Sequence, residues 1–92
     1  MIVRIATEDQ YRLPDADAER LNELDNAAVA AVEDEDEDRF HEVFEEMRNL
    51  VRTDGSKLPE DQLEESDVIL PPPDLSFSEA HLEFNGDGLI PD

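Results

Sequence analysis

The spacing of apolar residues changes several times along the chain, and each change marks an element. "MIVRIA" is short and β-branched, which predicts a strand over Ile2 to Ala6. Polar "TEDQ" reads as a turn, and "YRL" supplies a second strand stopped by Pro14. Together they predict a β-hairpin, with Ile2, Arg4 and Ala6 on one face and Val3 and Ile5 on the other. The period then lengthens. Leu21, Leu24, Ala28, Ala31 and Val32 recur at helical spacing, with Val29 beside them and Asp25 one turn after Leu21. Asp15 or Asp17 is the expected N-cap of this helix. Six consecutive carboxylates, Glu33 to Asp38, follow. They repel one another where the helix dipole already disfavours anions, so a break is expected there. The same acids suit the start of a next helix. Phe40, Val43, Phe44, Met47, Leu50 and Val51 form one continuous apolar stripe, and Asp54-Gly55 supplies its stop. So short a connection predicts an antiparallel helical hairpin.

Beyond Gly55 the pattern is less regular. Val68 to Leu70 can form a short strand on the edge of the N-terminal hairpin, ended by Pro71. Three prolines predict an extended connector. Ser76 followed by Glu79 is a capping-box pattern, with Leu75 and Ala80 at the staple positions. A short helix from Phe77 to Phe84 follows, with Gly86 near its C-cap. The fold class is therefore α+β in a single domain over residues 1–92: a β-hairpin, a two-helix hairpin, a third short strand and a short final helix. The closing "FNGDGLIPD" resembles a fraying tail, yet so thin a body gains from covering Leu89 and Ile90. Both are expected to pack, the rival being an exposed docking tail.

Composition changes the picture in one respect. The chain carries 27 acidic residues against seven cations, for a net charge of −20, and Lys57 is its one lysine. Molar salt shortens the Debye length to about 3 Å and screens such repulsion. Strong acidity with almost no lysine therefore points to a halophilic, archaeal cytoplasm. Leu, Ile, Val and Phe still make up about a quarter of the chain, above the roughly 20% level below which high charge predicts disorder. There is no cysteine, which removes disulfide and thiol chemistry. No apolar run is long enough to span a bilayer, and the start lacks a signal-peptide layout, so a cytoplasmic protein is expected. Without a basic patch to neutralise phosphates, nucleic acid is not an expected partner.

Candidate chemistry is sparse. No nucleophile and base stand together. His41 and Glu45 share a helix face at i, i+4, but no third or fourth metal ligand is picked out. "NGDG" and the acidic run lack the ligand spacing and glycine turn of a calcium loop. No cofactor, metal or catalytic residue is expected.

Several separated pieces carry a resemblance instead. "MIVRI" with "QYRL", "LNELDNAAVAAVE", "LVRTDG", "SDVILPPPD" and "GLIPD" keep their order and spacing along nearly the whole chain. In these the chain resembles PspAA, the small protein associated with phage-shock protein A. The acidic run is heavier than the family pattern suggests. The resemblance implies no enzyme activity. It implies an accessory or regulatory partner of a PspA-like coiled-coil protein in the membrane stress response, recruited to the inner membrane face only through that partner. Its candidate partner-binding positions are Leu21, Asn22, Leu24 and Asp25, Ser66 and Asp67, and Gly88, Leu89, Ile90, Pro91 and Asp92. Asn22 and Asp25 could equally bond to the "SDVIL" backbone. A rival class, from charge alone, is an acidic decoy for basic nucleic-acid-binding proteins.

Overall fold

A computed structural model describes residues 1–62, 64–84 and 88–90. Strands β1 (Ile2–Ile5) and β2 (Gln10–Arg12) form the expected antiparallel hairpin, with Val3 opposite Tyr11. Helices α1 (Asp15–Glu33) and α2 (Glu37–Asp54) form the helical hairpin and pack against each other. Two further strands, β3 (Ser56–Lys57) and β4 (Val68–Leu70), complete a four-stranded sheet of order β3-β2-β1-β4. The last helix, α3, spans Phe77–Glu83. Strand β4 joins β1 in parallel, Val3 facing Val68 and Ile5 facing Leu70. It is the edge strand the sequence predicts. Strand β3 is an addition, two residues paired with β2 that carry no apolar pattern to reveal them.

The ladder pairing divides the sheet into two faces. Val3, Ile5, Val68 and Leu70 alternate inward and are buried with Leu13 in one core, together with the stripes of α1 and α2. Ile2, Arg4 and Gln10 face the other way. The chain between β3 and β4 must cross that outer face, because the two strands lie at opposite edges of the sheet. Gln10 is the anchor of the crossing. Its Nε2 donates to the Glu64 carbonyl at 2.5 Å and to Ser66 Oγ at 2.7 Å, and its Oε1 accepts from the Glu64 N–H at 3.2 Å. Only 3% of Gln10 is exposed, so these bonds satisfy an amide that burial would otherwise penalise.

Local chemistry explains the helix ends. The cap position of α1 is Pro14, whose carbonyl accepts from Asp17 and Ala18. Neither Asp15 nor Asp17 caps it, contrary to expectation. Both lie inside the first turn, where the dipole favours anions. The break in the acidic run is a Schellman turn. Asp36 N–H donates to the Ala31 carbonyl and Glu35 N–H to the Val32 carbonyl, with Glu35 left-handed at φ 58°. Asp36 then caps α2, accepting from the Arg39 N–H at 3.1 Å. The carboxylates that end one helix thus start the next. Gly55 stands at the expected stop of α2, with an extended backbone at φ −81°. Glycine is required there for space: a Cβ would lie 2.4 Å from the Val51 carbonyl oxygen and 3.0 Å from Tyr11 Cβ.

The proline connector is shorter than expected, because a Leu75 N–H to Pro72 carbonyl bond folds it into a turn. Helix α3 has the predicted capping box between Ser76 and Glu79, with Leu75 and Ala80 buried on either side. It ends at Glu83, one residue before the expected Phe84; Gly86 lies outside the described residues. Phe84 seals one end of the core, its ring 5.2 Å from Phe40 and 5.9 Å from Phe44 between centroids. Among the described residues no helix is long and apolar enough to cross a membrane.

The left-handed Glu35 yields a prediction. A non-glycine residue there costs roughly 1–2 kcal/mol of backbone strain. Glycine would remove it while adding unfolded-state entropy worth about 0.4–1 kcal/mol. Glu35→Gly is expected to stabilise the protein by about 0.5–1 kcal/mol in urea unfolding, with an unchanged m-value.

Candidate functional site

The most unusual side chain is Asp25. It follows Leu21 by one turn of α1, so helical geometry puts it on the face directed into the core. None of its surface is exposed. A carboxylate in that position needs donors, and two backbone amides supply them. The Leu89 N–H lies 3.0 Å from both carboxylate oxygens, and the Ile90 N–H lies 2.9 Å from Oδ2. Burial pushes the Asp25 carboxyl above its ordinary range, and the two amide bonds pull it partly back.

Gly88 makes the approach possible. Its φ is +79°, and a Cβ there would stand 2.6–2.8 Å from the Asp25 carboxylate atoms. The clasp also carries apolar cover: Ile90 is buried in the core and Leu89 packs against it. The tail-like stretch is therefore held at Gly88 to Ile90. Pro91 and Asp92 lie outside the described residues.

The other candidate positions fall into two places. Leu21 is wholly buried and Asn22 half-buried, while Leu24 lines a cleft of about 340 Å³ between α1 and α2. Leu50 shares the cleft, with Arg20 and Glu46 on its rim. At the same end Asp17 and Asp54 meet. A hydrogen bond that the protonated Asp17 carboxyl donates to Asp54, with lesser contributions from desolvation and the like charge, raises the Asp17 carboxyl. Ser66 and Asp67 are elsewhere. Ser66 Oγ accepts from Gln10, and Asp67 Oδ2 accepts from the Ile2 N–H at 2.8 Å. Asp25 thus bonds to the Gly88–Ile90 segment, not to "SDVIL". Those residues instead hold the two strands of the N-terminal hairpin.

The histidines do not converge. His41 stands 3.8 Å from Glu37 and His81 stands 3.3 Å from Glu35. Among the described residues no three His, Cys, Asp or Glu side chains are grouped to hold a metal ion. Sequence reasoning singled out Asp25, Leu89 and Ile90 but not the bonds between them, because backbone amides carry no residue signature. It missed Gln10, which it assigned to the polar turn before "YRL", whereas β2 begins at that residue.

These features define a small α+β module whose motif residues bond chiefly to backbone amides and carbonyls of its own chain. The chain matches the PspAA family, PspA-associated protein, over residues 1–92 and belongs to it. No curated protein and no solved structure matches it.

Asp25→Asn keeps the shape but leaves one acceptor oxygen where two are used. It is expected to cost about 1–3 kcal/mol, the penalty for buried polar groups left unsatisfied. The pH dependence has a definite sign. Because the folded carboxyl titrates above its unfolded value of 3.8, the folded state takes up the proton first. The stability of the wild type relative to Asp25→Asn should therefore rise as pH falls through that window and level off below about 3.8. Paired urea titrations measure this difference. Gly88→Ala is expected to open the same clasp, read as faster hydrogen exchange at the Leu89 and Ile90 amides.

Proposed function

We propose that the chain is a non-enzymatic accessory partner of a PspA-like coiled-coil protein, acting in the membrane stress response. The observation that carries this reading is the family match over the whole chain. The clasp supports it by making one rigid body of pieces that are scattered in sequence. On this reading Leu21, Asp25 and Gly88 shape the surface from beneath. Asn22, the cleft edge at Leu24 and the partly exposed Leu89 lie on its recognition side, while Ser66 and Asp67 set the sheet edge. The protein works in the cytoplasm and reaches the inner membrane face through its partner. Its charge of −20 with a single lysine is an adaptation to molar salt.

The test is co-purification, from the same cells, with the PspA homologue at molar KCl. Association in resting or membrane-stressed cells is expected, and its absence in both would sink the proposal. Salt separates it from the acidic decoy. An apolar interface survives or strengthens as KCl rises, whereas ionic contacts to a basic protein weaken. The halophilic assignment has its own measurement: the melting temperature should climb between 0.1 and about 3 M KCl as repulsion is screened. A fall over that range would refute it.

A further inference from the structure

The charges on the outer sheet face do not all find partners within the chain. Arg12, Arg20, Arg39, Arg52 and Lys57 each stand within ion-pair distance of an acid. Arg48 lies over the Phe44 ring, 4.9 Å from its centroid. Among the described residues Arg4 is the one arginine or lysine with neither kind of partner, in a chain of 27 acids. In the ladder Arg4 stands opposite Ile69, the middle residue of β4, and strand alternation puts both on the outer face. Ile2 and Gln10 on that face are buried, but Arg4 is half-buried and Ile69 is 58% exposed. Ile69 also lines a groove of about 290 Å³, with Pro71 and Pro72 beside it and Glu79 and Glu83 of α3 as its wall. Glu79 commits one oxygen to the Ser76 N–H in the capping box. Glu83 is exposed and has no ion-pair partner among the described residues. One patch therefore holds an uncompensated cation, an apolar centre and an uncompensated carboxylate.

We infer that this patch joins two copies of the chain across a two-fold axis, with Ile69 packing near the axis and Arg4 of each copy pairing with Glu83 of the other. A two-fold interface is one surface meeting itself, so each group must find its complement elsewhere on the same surface. Arg4 and Glu83 are such a pair, and Ile69 adjoins both, the first in the ladder and the second in the groove. Single-sign occupants answer only half of the patch. A basic helix would match Glu83 and set its cations against Arg4, while an anionic membrane or nucleic acid would match Arg4 and meet Glu79 and Glu83. Strand β4 offers three residues of ladder before Pro71, so the contact is made by side chains. Each copy carries a charge of −20. In molar salt the Debye length is about 3 Å, which screens that long-range repulsion but spares charges in direct contact. The dimer is thus a high-salt species that dilute buffer weakens. It does not rest on the partnership proposed above.

Sedimentation equilibrium of the full chain in about 1 M KCl tests the inference. A monomer–dimer equilibrium is expected at protein concentrations up to ~1 mM, and a monomer throughout overturns it. Ile69→Thr keeps a β-branched residue in β4 and is expected to raise the dimer Kd at least about tenfold, because the apolar contact is lost twice. A dimer that this variant leaves intact overturns the placing. Arg4→Glu and Glu83→Arg are each expected to be monomeric alone, since like charges then face each other at both contacts. Mixed together they are expected to associate as the wild type does. The introduced carboxylate of one meets the introduced guanidinium of the other, and the native pair forms at the second contact. Both variants stay strongly acidic, so bulk charge does not draw them together. A misfolded variant would not be rescued by mixing, and melting temperatures are measured alongside. Mixed variants that stay monomeric overturn the pairing. If the wild type is monomeric and Ile69→Thr instead weakens binding of the purified PspA homologue, the patch belongs to that partner and the inference is overturned.

Discussion

A carboxylate with no contact to water must be held by donors, and Asp25 finds them in the backbone of Leu89 and Ile90. Much of the molecule answers to that requirement. The α1 face that carries Asp25 also carries Leu21, Ala28 and Val32 into the core, so the helix cannot turn the acid outward without exposing them. The late segment must then arrive with its amides foremost, and only a residue without a side chain can lead it in at Gly88. Ile90 closes the core where the amides bond. Electrostatic need and apolar cover are met by the same three residues. A buried charge held in this way is weak as a source of net stability and strong as a constraint on geometry.

Gln10 plays the corresponding part on the far side of the sheet. It too is buried, and it too is satisfied partly by backbone, in the segment crossing from β3 to β4. One polar anchor fixes a segment to the helical layer and the other fixes a segment to the outer sheet face. This explains the grouping of the motif pieces. "LNELD" meets "GLIPD", and "SDVIL" meets the paired strands of "MIVRI" and "QYRL".

The elements with a strong apolar period were legible in the sequence: both long helices, the hairpin, the β4 edge and the capping box at Ser76. The break inside the acidic run was also legible, because repulsion and dipole pointed the same way there. Its geometry was not, since a left-handed glutamate has no marker in the sequence. Gly55 was legible as a boundary, but its physical role was not, since that role is close approach to the Val51 carbonyl and to Tyr11. Strand β3 depends wholly on its pairing with β2, as two exposed residues have no pattern of their own. For the site, the sequence identified Asp25, Leu89 and Ile90 separately. What joins them is a contact between residues more than 60 positions apart, which periodicity along the chain does not encode.

The two borders of the sheet are unlike each other. One ends in a two-residue strand of exposed Ser56 and Lys57, its lysine 3.4 Å from Asp9. Charge and brevity make it a poor template for anything further. The other ends in β4 with Ile69 outward and a proline immediately beyond. Neither described border therefore offers more than three residues of ladder, so contacts with other molecules have to be made through side chains rather than by extending the sheet.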